Sequence, residues 1–258
     1  MNLAGNLFRT TIGRKFLMAI TGLVLIGFIV GHLVGNLQVF EDPDRINGYA
    51  HFLQSLGPAL WIVRAILFLC VVIHIWAATV LVLADRRARG PVPYRVQTWL
   101  QATFASRYMR WTGYVVLAFI VFHIAQFTLG AVTPETYKTN LPRYRMAGDY
   151  HVLGFVVVPA GTTVLDVHTM VIKSFQNAAV SGFYILAVGL LSLHLLHGAD
   201  SLFQTFGWRN GRWARGLRGV VTLCCLAYFL GNLAIPGAVL SGFLTPRPAA
   251  TAANPAQP

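Results

Sequence analysis

Apolar residues in this chain collect in five long runs separated by polar stretches. The runs cover roughly 16–40, 58–84, 109–131, 178–206 and 219–244. Each exceeds the ~20 residues that a bilayer core requires. In lipid such runs are expected to be helices, because a helix satisfies its own backbone polar groups. The expected fold class is therefore all-α, an integral membrane bundle of five transmembrane helices. Residues 1–244 would form a single membrane domain with a long outer loop at 132–177. That loop holds a short apolar stretch, 152–158, ended by Pro159. It is too short to span, so it is expected at the membrane interface or packed over the helix ends. The tail 245–258 is rich in Pro and Ala and is expected to be disordered. No internal repeat stands out along the chain.

Composition agrees with a lipid environment. Hydrophobic residues make up 56% of the 258 and charged residues only 11%, whereas a soluble domain carries about a quarter charged residues. The formal net charge of +12 would suggest a nucleic-acid partner in a soluble protein. Here most of the basic residues, 13 of 20, sit in connections on one side, so no nucleic acid is expected. Arg9, Arg14 and Lys15 precede the first run. Arg86, Arg87, Arg89, Arg95 and Arg107 lie between the second and third, with Arg110 at the mouth of the third, and Arg209, Arg212, Arg215 and Arg218 between the fourth and fifth. The opposite connections hold Glu41, Asp42, Asp44, Glu135, Asp149 and Asp166. The positive-inside rule then makes the N-terminus cytoplasmic. Cys70, Cys224 and Cys225 show neither C-x-x-C nor C-x-x-C-H spacing, which leaves no covalent haem attachment and no thiolate metal site to expect.

Four histidines, His32, His74, His123 and His194, sit one in each of the first four runs. The first and third run outward, and His32 and His123 each lie eight residues before the end, about 12 Å from the outer edge. The second and fourth run inward, which leaves His74 and His194 about 15–18 Å from the inner edge. Two imidazoles at one depth can share one haem iron, so the depths predict an outer haem on His32 and His123 and an inner one on His74 and His194. These would be two b-type haems, held without covalent attachment. His197 follows His194 by three residues and shares its face; either could be the ligand. Gly27, Gly31 and Gly35 line one face beside His32, where a flat macrocycle or a neighbouring helix could approach. Arg64, one turn into the second run, would clamp a haem propionate or snorkel to the surface. Asp200 lies in the last third of the fourth run and is expected to pair with an inner arginine. His51, His151 and His168 are expected to be solvated in outer loops.

The stretches GHLVGNLQVF around His32 and FYILAVGLLSLHLLHGADSLFQTFG around His194 resemble the cytochrome b anchor of succinate dehydrogenases and fumarate reductases. The similarity is to the single-subunit, five-helix, di-haem type and covers about 5–244. The resemblance implies an electron-transfer subunit of succinate:quinone oxidoreductase in a bacterial cytoplasmic membrane. It would carry no catalytic residue and no dicarboxylate site. Its partners would be a flavoprotein subunit and an iron–sulfur subunit, and its substrate a membrane quinone. It also implies His32, His74, His123 and His194 as axial ligands, the first histidine of H-L-x-H-G being the family ligand. Ala199 and Asp200 depart from the family, which has apolar residues there.

A quinone needs hydrogen-bond donors near the membrane surface. Asn36, Gln38 and Glu41 at the outer end of the first run, with Gln126 on the third, are the candidates. Two other functions stay open: the cytochrome b subunit of a formate dehydrogenase or hydrogenase, and a haem-free transporter with structural histidines.

Overall fold

The computed structural model describes residues 3–92, 95–96 and 102–247, with side chains from Gly5 onward. Most of the tail expected to be disordered, 248–258, lies outside the described residues. The chain is largely helical. A short helix α1 (Leu3–Arg9) leads into α2 (Thr11–Leu37), which ends in a 3-10 turn, Gln38–Phe40. Then follow α3 (Pro43–Ser55), α4 (Pro58–Arg89) and α5 (Phe104–His123), the last continuing as a π-turn, Ile124–Thr128. Helices α6 (Val167–Gln176), α7 (Ala178–Thr205) and α8 (Ala214–Leu240) complete the set. Among the described residues five segments are long and apolar enough to cross a membrane: Thr11–Phe40, Pro58–Arg89, Phe104–Thr128, Ala178–Thr205 and Ala214–Leu240. That is the make-up of a multi-pass membrane protein, and large apolar side chains such as Phe68 and Trp61 stay exposed on these helices.

Helices α2, α4 and α5 start or end beyond the bounds that hydropathy predicts, while α8 stops at Leu240, short of the expected 244. Helix α4 was expected to stop near 84 and continues to Arg89. Arg86, Arg87 and Arg89 are good helix formers and sit favourably against the negative end of the helix dipole. Gly90, at φ +82°, then stops the helix, with Pro91 behind it.

The chain divides into two compact units. The first comprises Met1–Val30, Trp61–Gly113 and Leu191–Ala227. Within it Asp200 Oδ2 accepts from Arg209 at 3.2 Å and from Arg218 at 3.1 Å. This is the ion pair expected of a carboxylate in an apolar segment.

The second unit comprises Gly31–Leu60, Tyr114–Leu190 and Tyr228–Pro258. Its core gathers Val39, Ile46, Ile172, Phe175 and Tyr184 with residues of α8. Here residues 132–177, expected as an outer loop, carry regular structure of their own. Strand β1 (Tyr144–Arg145) pairs with β4 (Thr163–Val164), and β2 (Tyr150–Val152) with β3 (Phe155–Val158). Leu153 and Gly154, at φ +51° and +85°, form the two-residue turn between β2 and β3, the geometry that suits a right-twisted hairpin. The apolar stretch 152–158 thus becomes mostly strand. Val158 is buried with Tyr144, Met146, Tyr150 and Val164, and Tyr49 and Phe52 of α3 pack against that cluster.

Asn47 joins α3 to α6. Its side chain is fully buried. Oδ1 accepts from the backbone N–H of Val167 at 2.8 Å and of His168 at 2.9 Å, while Asp166 Oδ1 accepts from Thr169 N–H at 2.9 Å. The His168 and Thr169 N–H groups at the start of α6 thereby find acceptors, while Val167 N–H also meets Leu165 O at 3.0 Å. Asn47→Ala is expected to strand the buried His168 N–H, since Val167 N–H keeps Leu165 O, and to cost about 1–3 kcal/mol of stability. Denaturant unfolding in detergent measures this, with faster hydrogen exchange at His168 as the local signature. The same packing corrects one expectation. His168 is not a solvated loop residue but only 1% exposed. Burial pushes its pKa below the ordinary 6.5; Asp166 opposes that shift and Arg247 adds to it. His51 is half-buried and His151 exposed.

Candidate functional site

The expected histidines come together in two pairs, one within each unit. In the first unit His74 of α4 faces His194 of α7, with ring centroids 6.5 Å apart and planes at 55°. Each ring is held by a threonine on a neighbouring helix. Thr21 Oγ1 donates to Leu17 O at 2.8 Å and lies 3.2 Å from His74 Nδ1. Thr112 Oγ1 donates to Met109 O at 3.0 Å and lies 3.2 Å from His194 Nδ1. With the hydroxyl hydrogen committed to its own helix, the threonine oxygen accepts from Nδ1–H. That fixes the tautomer in which Nε2 keeps its lone pair and is free to bind a metal.

A glycine follows each threonine and makes room for the ring. A Cβ on Gly22 would lie 3.3 Å from His74 Cε1, and one on Gly113 would lie 3.5 Å from His194 Cε1. These residues were missed from the sequence, although a signal was there. Met18–His32 and Met109–His123 share the pattern M-x-x-T-G-x-V-x-x-x-F-I-V-x-H, displaced by 91 residues. The absence of a repeat is thus corrected: α2 and α5 carry the same cradle followed by the same histidine.

In the second unit His32 of α2 faces His123 of α5, centroids 5.6 Å apart and planes at 88°. His123 Nδ1 lies 3.3 Å from the hydroxyl of Tyr184, which donates at 2.8 Å to Gln126 Oε1. Gln126 reaches this position through the π-turn after His123, in which Leu129 N–H bonds Ile124 O at 3.0 Å. Wide turns of this kind recur at functional sites in helices. Phe119, Phe122, Phe127, Phe175 and Phe183 surround the Tyr184 ring with centroids at 5.0–6.3 Å.

Two imidazoles sharing one metal across bonds of about 2 Å would have ring centroids about 6 Å apart. The observed 5.6 and 6.5 Å lie on either side of that value. Among the described residues no group of three or more His, Cys, Asp or Glu converges on one point. Each pair therefore offers two donors, which suits a metal that arrives with in-plane donors of its own. Gly31, next to His32, would meet nothing within 4 Å if given a Cβ, so a flat group could approach the backbone there. Gly35 is different: a Cβ there would fall 2.5 Å from the Tyr49 ring, so this glycine lets α3 pack.

The remaining candidates fall elsewhere. His197 is half-buried, and His194 is the residue whose ring meets His74. Arg64 is exposed and lies over the Trp61 ring at 4.8 Å, the stacking of an interfacial anchor. Glu41 pairs with Arg45 at 2.8 Å on the surface. Asn36 is half-buried. Gln38 Oε1 is buried without a hydrogen-bond partner among the described residues. Gln126 is buried and engaged with Tyr184. No protein-family model, curated protein or solved structure matches the chain.

Proposed function

We propose that this chain is a di-haem cytochrome b, the membrane anchor of a succinate:quinone oxidoreductase, carrying electrons between an iron–sulfur subunit and membrane quinone. The observation that carries this reading is the set of four imidazoles from four apolar helices, paired at the spacing of axial ligands. Three of them have Nδ1 tied to a hydroxyl, which would leave Nε2 as the lone-pair donor. When bound, b-type haem would supply one-electron ferric–ferrous chemistry in a six-coordinate iron that leaves no position for oxygen.

This chain's own residues have four tasks. His32 and His123 hold one haem, and His74 and His194 the other. Thr21, Thr112 and Tyr184 fix the ring tautomers. The apolar helices exclude water. The basic connections set an N-terminus-in orientation across a bacterial cytoplasmic membrane and would meet the iron–sulfur subunit, beyond which the flavoprotein oxidises succinate. Asn36, Gln38, Glu41 and Gln126 remain the quinone candidates, and Arg64 the candidate for a propionate. The succinate connection comes from the resemblance around His32 and His194.

The test is purification from the native membrane with the companion subunits. The expected complex is red, carries two haems per chain, is reduced by succinate, and contains a flavoprotein and an iron–sulfur protein. A colourless assembled complex would sink the haem assignment. A red complex with a formate- or hydrogen-oxidising companion would keep the cytochrome and remove succinate from it.

A further inference from the structure

The two histidine pairs differ in what holds the back of the ring. In the His74–His194 pair each Nδ1 meets a threonine hydroxyl whose hydrogen is spent on its own helix backbone. At His123 the partner is a phenol, and its hydrogen is spent on a side-chain amide in the next turn of α5. We infer that Tyr184, set by Gln126, is a positioning residue that tunes the redox potential of the haem on His32 and His123 independently of the other haem. This rests on the haem reading above.

The geometry commits the phenol to one role. Its O–H is directed to Gln126 Oε1 at 2.8 Å, so toward His123 it presents a lone pair and accepts from Nδ1–H. The amide keeps its oxygen on the phenol although Nε2 is then buried without an acceptor among the described residues. The opposite amide orientation would send the phenol hydrogen to Nδ1. It would leave a hydrogen on Nε2, and that nitrogen could not bind iron. Five phenylalanines hold the ring in place, so the oxygen cannot swing away.

An imidazole that donates Nδ1–H to an oxygen is the more basic ligand, and a more basic ligand stabilises ferric iron. The Tyr184 oxygen therefore holds this haem's potential down. Phenylalanine would fill the same box, but it would leave Gln126 Oε1 without the 2.8 Å bond and His123 Nδ1 without its oxygen.

The experiment is a spectroelectrochemical titration of the purified complex, with low-spin ferric EPR. Tyr184→Phe keeps the ring and removes the oxygen. It is expected to retain both haems, raise the midpoint of one redox step and change one EPR signal. Thr112→Val, which removes the oxygen behind His194, is expected to move the other step. Gln126→Leu frees the phenol hydrogen and is expected to move the same step as Tyr184→Phe by a smaller amount; it decides the matter if Tyr184→Phe does not assemble. Unmoved midpoints in a Tyr184→Phe complex that retains both haems would overturn the proposal. So would a shift in the step that Thr112→Val moves. A wild-type complex without haem would instead overturn the reading beneath it.

Discussion

On the di-haem reading proposed above, His74→Ala is expected to remove one of two haems from the assembled complex and to leave the other in part. The reason lies in where each ring is held. His74 and His194 belong to one compact unit and His32 and His123 to the other, and each ring meets its own partner at 6.5 or 5.6 Å. Removing one imidazole leaves the opposite ring as a lone axial donor. It also opens a hole of several side-chain atoms beside Thr21 and Gly22. Cavities of that kind cost about 2–5 kcal/mol in packed interiors, so a share of the chain is expected to be lost in assembly. In what assembles, the haem-to-chain ratio by pyridine haemochrome should fall from two toward one. His32→Ala should remove the opposite haem. A His32→Ala complex that keeps both haems would undo the pairing, because no arrangement of the two rings could then explain the retained iron.

Hydropathy carries the large features because lipid imposes them. A helix that must cross a bilayer needs ~20 apolar residues, and all five such segments are visible as runs. The histidines stand out for the same reason: imidazole in an apolar run is costly without a partner. What hydropathy misses is decided by tertiary contact. Helix α3 is polar by composition, yet Asn47 within it is fully buried, because its oxygen caps another helix far away in the chain. His168 is buried by the same docking. Nothing local to 166–176 announces that contact. The strand pairing at 150–158 likewise depends on Tyr150 and Val158 packing beside α3. The threonine–glycine cradles are a different case. They were legible as the repeat shared by 18–32 and 109–123, but threonine and glycine are ordinary in membrane helices. Only the distances from Thr21 and Thr112 to the rings give them a task.

Gly22→Val is expected to cost the complex the haem on His74 and His194 as completely as loss of a ligand does. A Cβ at Gly22 would already stand 3.3 Å from His74 Cε1, tight enough that the ring must yield by tenths of an ångström. Valine adds two branched carbons beyond that point, and in a helix its χ1 is nearly fixed, so they cannot all turn away. The ring must move, and the Nδ1 contact with Thr21 at 3.2 Å is what holds it. Once that contact breaks, the tautomer is no longer set and the ring no longer keeps its place 6.5 Å from His194. Gly22→Ala should fall between, with haem retained but the reduced spectrum of that haem altered. Gly182→Ala on α7 supplies the contrast. That glycine is exposed, and a Cβ there would meet nothing within 4 Å. Haem content should stay at two, and stability should rise by up to ~1 kcal/mol from helix propensity alone. If Gly22→Val bound both haems with an unchanged spectrum, His74 would have to be held by something other than the α2 cradle. The shared pattern on α2 and α5 would then lose the chemical meaning assigned to it.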